Sequence, residues 1–178
     1  MLKKILSAIF LIFGFAITCF GQVNTVTENF PHWKNPAKLT VFIPQDTNSA
    51  MMKRAFLKWQ NESFGNVKFV FTEKTPANIN VTFTDKVDKS DALLGNYSNT
   101  IKNGYITKSD IKIASVNSKA SKNMIYTTML HEIGHSLGLP DTSRSVGIMN
   151  MPISESQDIY KRDIRQLYRI YDWNWVRK

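Results

Sequence analysis

The sequence predicts an α+β domain, with one helix ahead of most of its strands and two helices after them. Three observations carry this expectation. Apolar residues recur at helical spacing in three segments, and short alternating runs with the period of half-buried strands lie between the first two. A chain of 178 residues with 43% hydrophobic side chains also suits one domain with a core of its own, and is not disordered by composition.

The chain opens on a leader. Lys3 and Lys4 precede a predominantly apolar run of 13 residues, Ile5 to Ile17. A membrane-spanning helix needs about 20 such residues, so the run reads as the apolar stretch of a signal peptide. Cys19 and Gly21 stand at the −3 and −1 positions of a cleavage site before Gln22, which assigns residues 1–21 to the signal peptide and export to the protein, secreted or periplasmic. The alternatives are an uncleaved N-terminal helix and a lipid anchor on Cys19, although Ala16-Ile17-Thr18 is a poor version of the box that precedes a lipidated cysteine. Cys19 is the only cysteine, so cleavage after Gly21 leaves a chain with no thiol and no disulfide, free of stable membrane association.

Residues 22–32 read as a polar arm or pro-segment, and residues 33–178 as the domain. Leu39 to Ile43 is the first expected strand, closed by Pro44. Met52, Ala55, Phe56 and Trp59 fall on one helical face between Asn48 and Ser63, and Gly65 ends that segment. Val67, Phe69 and Phe71 then share one strand face, as do Ile79, Val81 and Phe83. Asp85 to Gly104, rich in Asp, Lys, Asn and Ser, reads as a long loop, with a further strand around Ile111 and Ile113. A helix is expected from Lys122 to Leu137, an irregular segment from Gly138 to about Glu155, and a last helix with Tyr160, Ile164, Leu167, Tyr168 and Tyr171 along one stripe.

The formal net charge is +9, of which Lys3 and Lys4 contribute two within the leader. The other lysines are dispersed, with no arginine-rich run and no nucleic-acid motif. They read as a solvated basic surface on a monomer, and nucleic acid is excluded as a partner.

The chemistry lies in His131-Glu132-Ile133-Gly134-His135 and the residues after it. Histidines at i and i+4 project from one face of a helix, so both imidazoles can reach a single ion. Glu132 is rotated by about 100° from His131, close enough to serve the hydrolytic water without binding the metal, as a general base must. Gly138 permits the helix to end in a left-handed turn and Pro140 prevents its continuation, so the chain reverses and returns Asp141 towards the ion. Two histidines and a carboxylate leave the fourth position of zinc open for water, the arrangement of a catalytic site. Two alternatives stand beside this: Asp141 as a turn cap, and His32, which precedes the first strand, as the third ligand.

The segment from His131 to Asp141 resembles the zinc signature of the metzincin peptidases. Aspartate at 141, where most of them carry a third histidine, resembles the snapalysin-type variation on it. Met149 in Gly147-Ile148-Met149-Asn150 is similar to the methionine turn of that family. From about Trp33 to Tyr171 the chain resembles bacterial matrixin-like enzymes: Trp33 with Leu39-Thr40-Val41 at the start of the domain, Ala55-Phe56 and Trp59 on the first helix, and Asp163-Ile164, Leu167 and Ile170-Tyr171 on the last.

The resemblance implies a metzincin-like catalytic domain, a mixed and mostly parallel twisted sheet with a backing helix, an active-site helix and a C-terminal helix. It implies one catalytic zinc ion and a protein or peptide substrate. It places Met149 beneath the ligands as a structural residue, and the substrate as an added strand along a sheet edge near Ile113-Ala114-Ser115, so that Ala114 touches it. Met151, Pro152 and Ile153 would form the wall of the main specificity pocket. Departures accompany the likeness. Only His32 lies outside the motif, too few for the further histidine-built zinc site of animal matrixins; and Arg162 stands where the family carries the first of two aspartates. Calcium finds no support, since Asp85, Asp88 and Asp91 match no calcium loop and read as solvated charges. The competing function is a secreted zinc-containing binding or adhesion protein without peptidase activity. A structural zinc usually has four protein ligands, often cysteines, and this chain offers three and no mature thiol. Zinc-dependent hydrolysis of a non-peptide bond is a third reading, since the preference for peptides rests on the family likeness.

Overall fold

A computed structural model of the protein describes residues 30–89, 93–115, 119–143 and 146–174. The leader, Cys19, most of the arm and Asp91 lie outside the described residues. The elements are β1 (His32–Trp33), β2 (Leu39–Phe42), α1 (Ser49–Glu62), β3 (Phe69–Thr72), β4 (Ile79–Thr84), β5 (Gly95–Lys102), β6 (Tyr105–Ala114), α2 (Lys122–Ser136) and α3 (Lys161–Ile170). One helix precedes most of the strands and two follow them.

The strands form one sheet in the order β1-β6-β4-β2-β3, with every pair in that path parallel. β5 alone runs antiparallel, paired along β6 from Gly95↔Ile113 to Lys102↔Tyr105. β1 and β4 meet the opposite edge of β6, at Tyr105–Ile106 and Ser109–Ala114 respectively. β5 is therefore an outer strand, with one backbone edge free of partners among the described strands.

Alternation sets the layers. Leu39, Val41, Ile79, Val81, Ile111 and Ile113 are buried on one face, while Thr40, Asn80, Thr82 and Lys112 lie on the other. The apolar face is covered by Met52, Ala55, Phe56 and Trp59 of α1 and by Ile125, Met129, Leu130 and Ile133 of α2. Trp59 ties the two helices by donating from Nε1 to the Leu130 carbonyl at 2.9 Å. α1 ends where Phe64 and Gly65 both turn left-handed, at φ 55° and 74°. α2 starts under an N-cap: Ser121 Oγ accepts from the Met124 N–H at 3.0 Å. From Thr127 to Ser136 every residue of α2 is buried, so this part of the helix is internal and turns no face to solvent.

Three expectations need correction. The stretch Asp85–Gly104 is not one long loop, because it contains β5 and the hairpin turn into β6. β5 has little apolar alternation because it is an outer strand, with Ser98 and Thr100 exposed. The local signal was Asn103-Gly104, both at positive φ (52° and 79°), the turn chemistry that two-residue hairpins prefer. His32 does not precede the first strand but begins it, and its ring sits edge-on between Tyr105 and Tyr171 at 5.3 and 5.1 Å. Tyr160 is exposed at the cap of α3 and does not extend the buried stripe of Ile164, Leu167 and Tyr168.

Candidate metal centre

The last two turns of α2 place His131 and His135 on one side, with Nε2 atoms 3.0 Å apart and rings nearly perpendicular. Both are buried. Gly138, at φ 97°, reverses the chain, and two hydrogen bonds then fix where it goes. The Thr142 N–H donates to the Met149 carbonyl at 2.7 Å, and the Met151 N–H donates to the Thr142 carbonyl at 2.8 Å. Asp141 is thus held against the turn that carries Met149, and its Oδ1 lies 3.2 Å from each histidine Nε2. These three residues are the group among the described residues whose donor atoms could hold one metal ion.

The donor set fits zinc. With ligand bonds of about 2.0 Å, tetrahedral coordination puts neighbouring donors roughly 3.3 Å apart. The observed separations of 3.0, 3.2 and 3.2 Å are close to that. Each imidazole is also oriented from behind: His131 Nδ1 meets the Ile148 carbonyl and His135 Nδ1 the Leu139 carbonyl, both at 2.8 Å. With the proton on Nδ1, each Nε2 lone pair is free for a metal. Burial, with the neighbouring His131 as a lesser cause, lowers the pKa of His135 and keeps it in the neutral, ligating form.

Glu132 is almost fully buried beside the two histidines. Burial first, and the Asp141 charge second, push its carboxyl up to about 8. Its neighbour is Gly95 of β5, and a Cβ there would lie 2.6 Å from Glu132 Oε1 and 2.5 Å from Thr128 Cγ2. No side chain fits without displacing Glu132. With Glu132 as the expected general base, Gly95→Ala should leave zinc content unchanged and lower kcat by up to about a hundredfold, the cost that an ångström of misplacement can reach. Zinc analysis and steady-state kinetics on the same preparation check it.

The floor of the site is Met149. A Cβ on Gly134, between the two histidines, would lie 2.3 Å from Met149 Sδ, so the sulfur packs against bare helix backbone. Asp163 of α3 holds this turn. Its Oδ2 accepts from the Ile148 N–H at 3.0 Å and the Tyr160 N–H at 2.8 Å, and its Oδ1 from the Met149 N–H at 3.4 Å. Burial raises its pKa despite these three donors. Asp163→Asn turns an amide NH2 towards backbone donors, and a loss of about 1–3 kcal/mol is expected in denaturant unfolding.

Four further residues support the end of α2 in a way that sequence reasoning did not foresee, and two of them, Asn99 and Tyr97, it did not single out at all. The carbonyls of His135, Ser136 and Leu137 lie in the last turn, where the i+4 backbone donors run out, and the His135 carbonyl keeps only the Gly138 N–H at 2.9 Å. They accept from Asn99 Nδ2 (2.9 Å), Trp33 Nε1 (2.7 Å) and Tyr171 Oη (2.9 Å) respectively. Tyr97, also on β5, stacks on the His135 ring with centroids 4.2 Å apart and planes 17° from parallel. Its phenol is raised by burial, then by the Asp141 and Glu132 charges.

The edge residue Ala114 is a correction. Its N–H donates to the Leu94 carbonyl at 2.8 Å, it pairs with Thr84 of β4, and the Ser115 N–H is taken by the Thr84 carbonyl at 3.0 Å. Ile113-Ala114-Ser115 is thus an interior stretch, because the unforeseen strand β5 covers it. Met151 and Pro152 are exposed and Ile153 half-buried beyond the Met149 turn. Gln157 Nε2 ties this segment down by donating to the Asn150 and Pro152 carbonyls at 2.9 and 3.2 Å. Asp85 and Asp88 are engaged by local donors: the Lys86 N–H on Asp85, and Asn96 Nδ2 on Asp88.

Comparison with known families agrees with this geometry. The family model described as Matrixin matches residues 32–172, a span from β1 through the whole of α3. A search of curated proteins finds no match.

Proposed function

The chain belongs to the matrixin family, whose members are zinc metalloendopeptidases, and on that premise we propose that it cleaves peptide bonds with His131, His135 and Asp141 as zinc ligands and Glu132 as general base. The observation that carries this reading is the convergence of two imidazole nitrogens and one carboxylate oxygen within 3.2 Å of each other, beside a buried carboxyl. The aspartate in the third position makes it the snapalysin-type form of the site.

Bound zinc supplies Lewis acidity towards the scissile carbonyl and the attacking water. Everything else is done by the chain. The Ile148 and Leu139 carbonyls aim the imidazoles, and burial keeps His135 neutral. Glu132 takes a proton from the attacking water on its carboxylate and delivers it to the leaving amine nitrogen. A buried carboxyl suits this transfer, since burial lets it hold a proton readily and nearby positive charge favours its ionised form. The free edge of β5 is where an extended peptide can add as a strand through backbone hydrogen bonds. Met151, Pro152 and Ile153, fastened by Gln157, form the wall next to that peptide.

Residues 1–21 act in this reading as a cleaved signal peptide, which sends a monomeric mature chain beginning at Gln22 outside the cytoplasm. N-terminal sequencing of exported protein tests this, and a lipid-modified Cys19 at the mature terminus would replace it with an anchored form. The enzymatic reading is tested with casein and a quenched-peptide library, each with and without a chelator. Cleavage that stops with the chelator and returns with zinc is the expected result. Stoichiometric zinc with no cleavage of either substrate would favour the zinc-containing binding protein.

A further inference from the structure

The inner face of β5 is fitted to the metal helix at every second residue. Gly95 leaves room for Glu132, Tyr97 covers His135, and Asn99 caps the His135 carbonyl. This is the period-2 face of a strand laid against one side of a helix. Gly95 contributes by absence and Asn99 holds backbone. Tyr97 alone touches a ligand ring.

The two histidines are fixed differently. His131 and His135 each rest Nδ1 on a carbonyl at 2.8 Å, and their Nε2 atoms meet each other at 3.0 Å and Asp141 Oδ1 at 3.2 Å. All of these contacts are made at the ring edge, and none presses on a ring face to fix its plane. For His135 one face is closed by the aromatic plane of Tyr97, at 4.2 Å and 17° from parallel. His131 stands perpendicular to His135 and cannot supply that face itself. Stacking of this kind is a geometric constraint on plane as well as a packing contact.

Resting on the proposed ligand set, the geometry points to Tyr97 as a positioning residue of the metal centre: its flat ring sets the plane of His135 and so the direction of Nε2. The hydroxyl is not required for this, and the ring is. The role also links the two halves of the site, because Tyr97 belongs to the strand whose other edge is open to substrate.

The test compares wild type with Tyr97→Phe and Tyr97→Leu by chelator-buffered zinc titration and by the visible spectrum of the cobalt-substituted protein. Melting of each variant after zinc removal is recorded as a control. Phenylalanine keeps the flat ring, so zinc affinity within about threefold of wild type and an unchanged cobalt spectrum are expected. Leucine keeps apolar bulk on a strand but has no plane, so affinity at least about tenfold weaker and altered cobalt bands are expected, the usual scale for groups that orient ligands. The proposal is overturned if leucine binds zinc as tightly as phenylalanine, or if both variants are equally weakened. It also fails if the leucine variant does not fold, which would make Tyr97 a packing residue. Wild type that takes up no zinc would instead sink the ligand assignment on which it stands.

Discussion

Glu132→Gln leaves zinc binding intact and removes peptidase activity by a factor of about 10²–10⁴, the scale of a lost general base. Glutamine has nearly the same shape as glutamate, so it occupies the space that Gly95 and Thr128 leave without strain. It cannot accept and return a proton. Zinc content should stay at one per chain, since Glu132 lies outside the group formed by His131, His135 and Asp141. A second readout follows from the raised pKa. In protein stripped of zinc, Glu132 ionises at about 8 against an ordinary 4.5. A group whose folded pKa is raised adds stability that is complete below the ordinary value and is lost as pH rises through the folded one. Relative to the glutamine variant, the stripped wild type should therefore lose melting temperature progressively from pH 4.5 to beyond pH 8; the opposite contribution of His135, whose pKa burial lowers, is common to both proteins. Near-normal cleavage by Glu132→Gln would remove the carboxyl from the mechanism.

What could be read in advance follows the range of the interaction. α1 and α2 place apolar residues at helical spacing beneath the sheet, with bounds within a residue of those expected, and the last helix forms around Ile164, Leu167 and Tyr168 as its stripe implies. The neighbourhood of His131, Glu132 and His135 needs only one helical turn, and that of Asp141 only the reversal at Gly138, so both are local and visible. β5 was not visible, because an outer strand with one solvated face has no reason to alternate, and Asn96, Ser98 and Thr100 look like loop. Missing it shifted the free edge inward to Ala114, which β5 and β4 in fact enclose. The capping of the α2 carbonyls was also beyond reach. Asn99, Trp33 and Tyr171 come from three elements far apart in sequence, and nothing local to any of them reveals that they meet at one helix end.

The same distinction between local and distant residues separates Asp141 from His32. Asp141→Ala is expected to weaken zinc binding by at least about an order of magnitude and to abolish turnover, because two imidazoles alone make a poor zinc site. The carboxylate contributes charge as well as a bond, and its position is set by backbone hydrogen bonds at Thr142 and Met151 that survive the substitution. The protein should thus remain folded while the ion is lost. His32→Ala has the opposite profile. Its ring lies between Tyr105 and Tyr171, and Tyr171 caps the Leu137 carbonyl, so truncation removes edge-on contacts worth about 0.5–1.5 kcal/mol apiece from the end of α2. Melting temperature should fall and zinc affinity change little. Asp141→His should retain metal. A neutral third ligand leaves more positive charge on the ion, the attacking water loses its proton at lower pH, and the pH optimum moves down. Equilibrium zinc titration, melting curves and a pH–rate profile of the three variants decide the assignment. Zinc released by His32→Ala and kept by Asp141→Ala would move the third ligand to the first strand. The convergence of Asp141 on the histidines would then be a polar contact and nothing more.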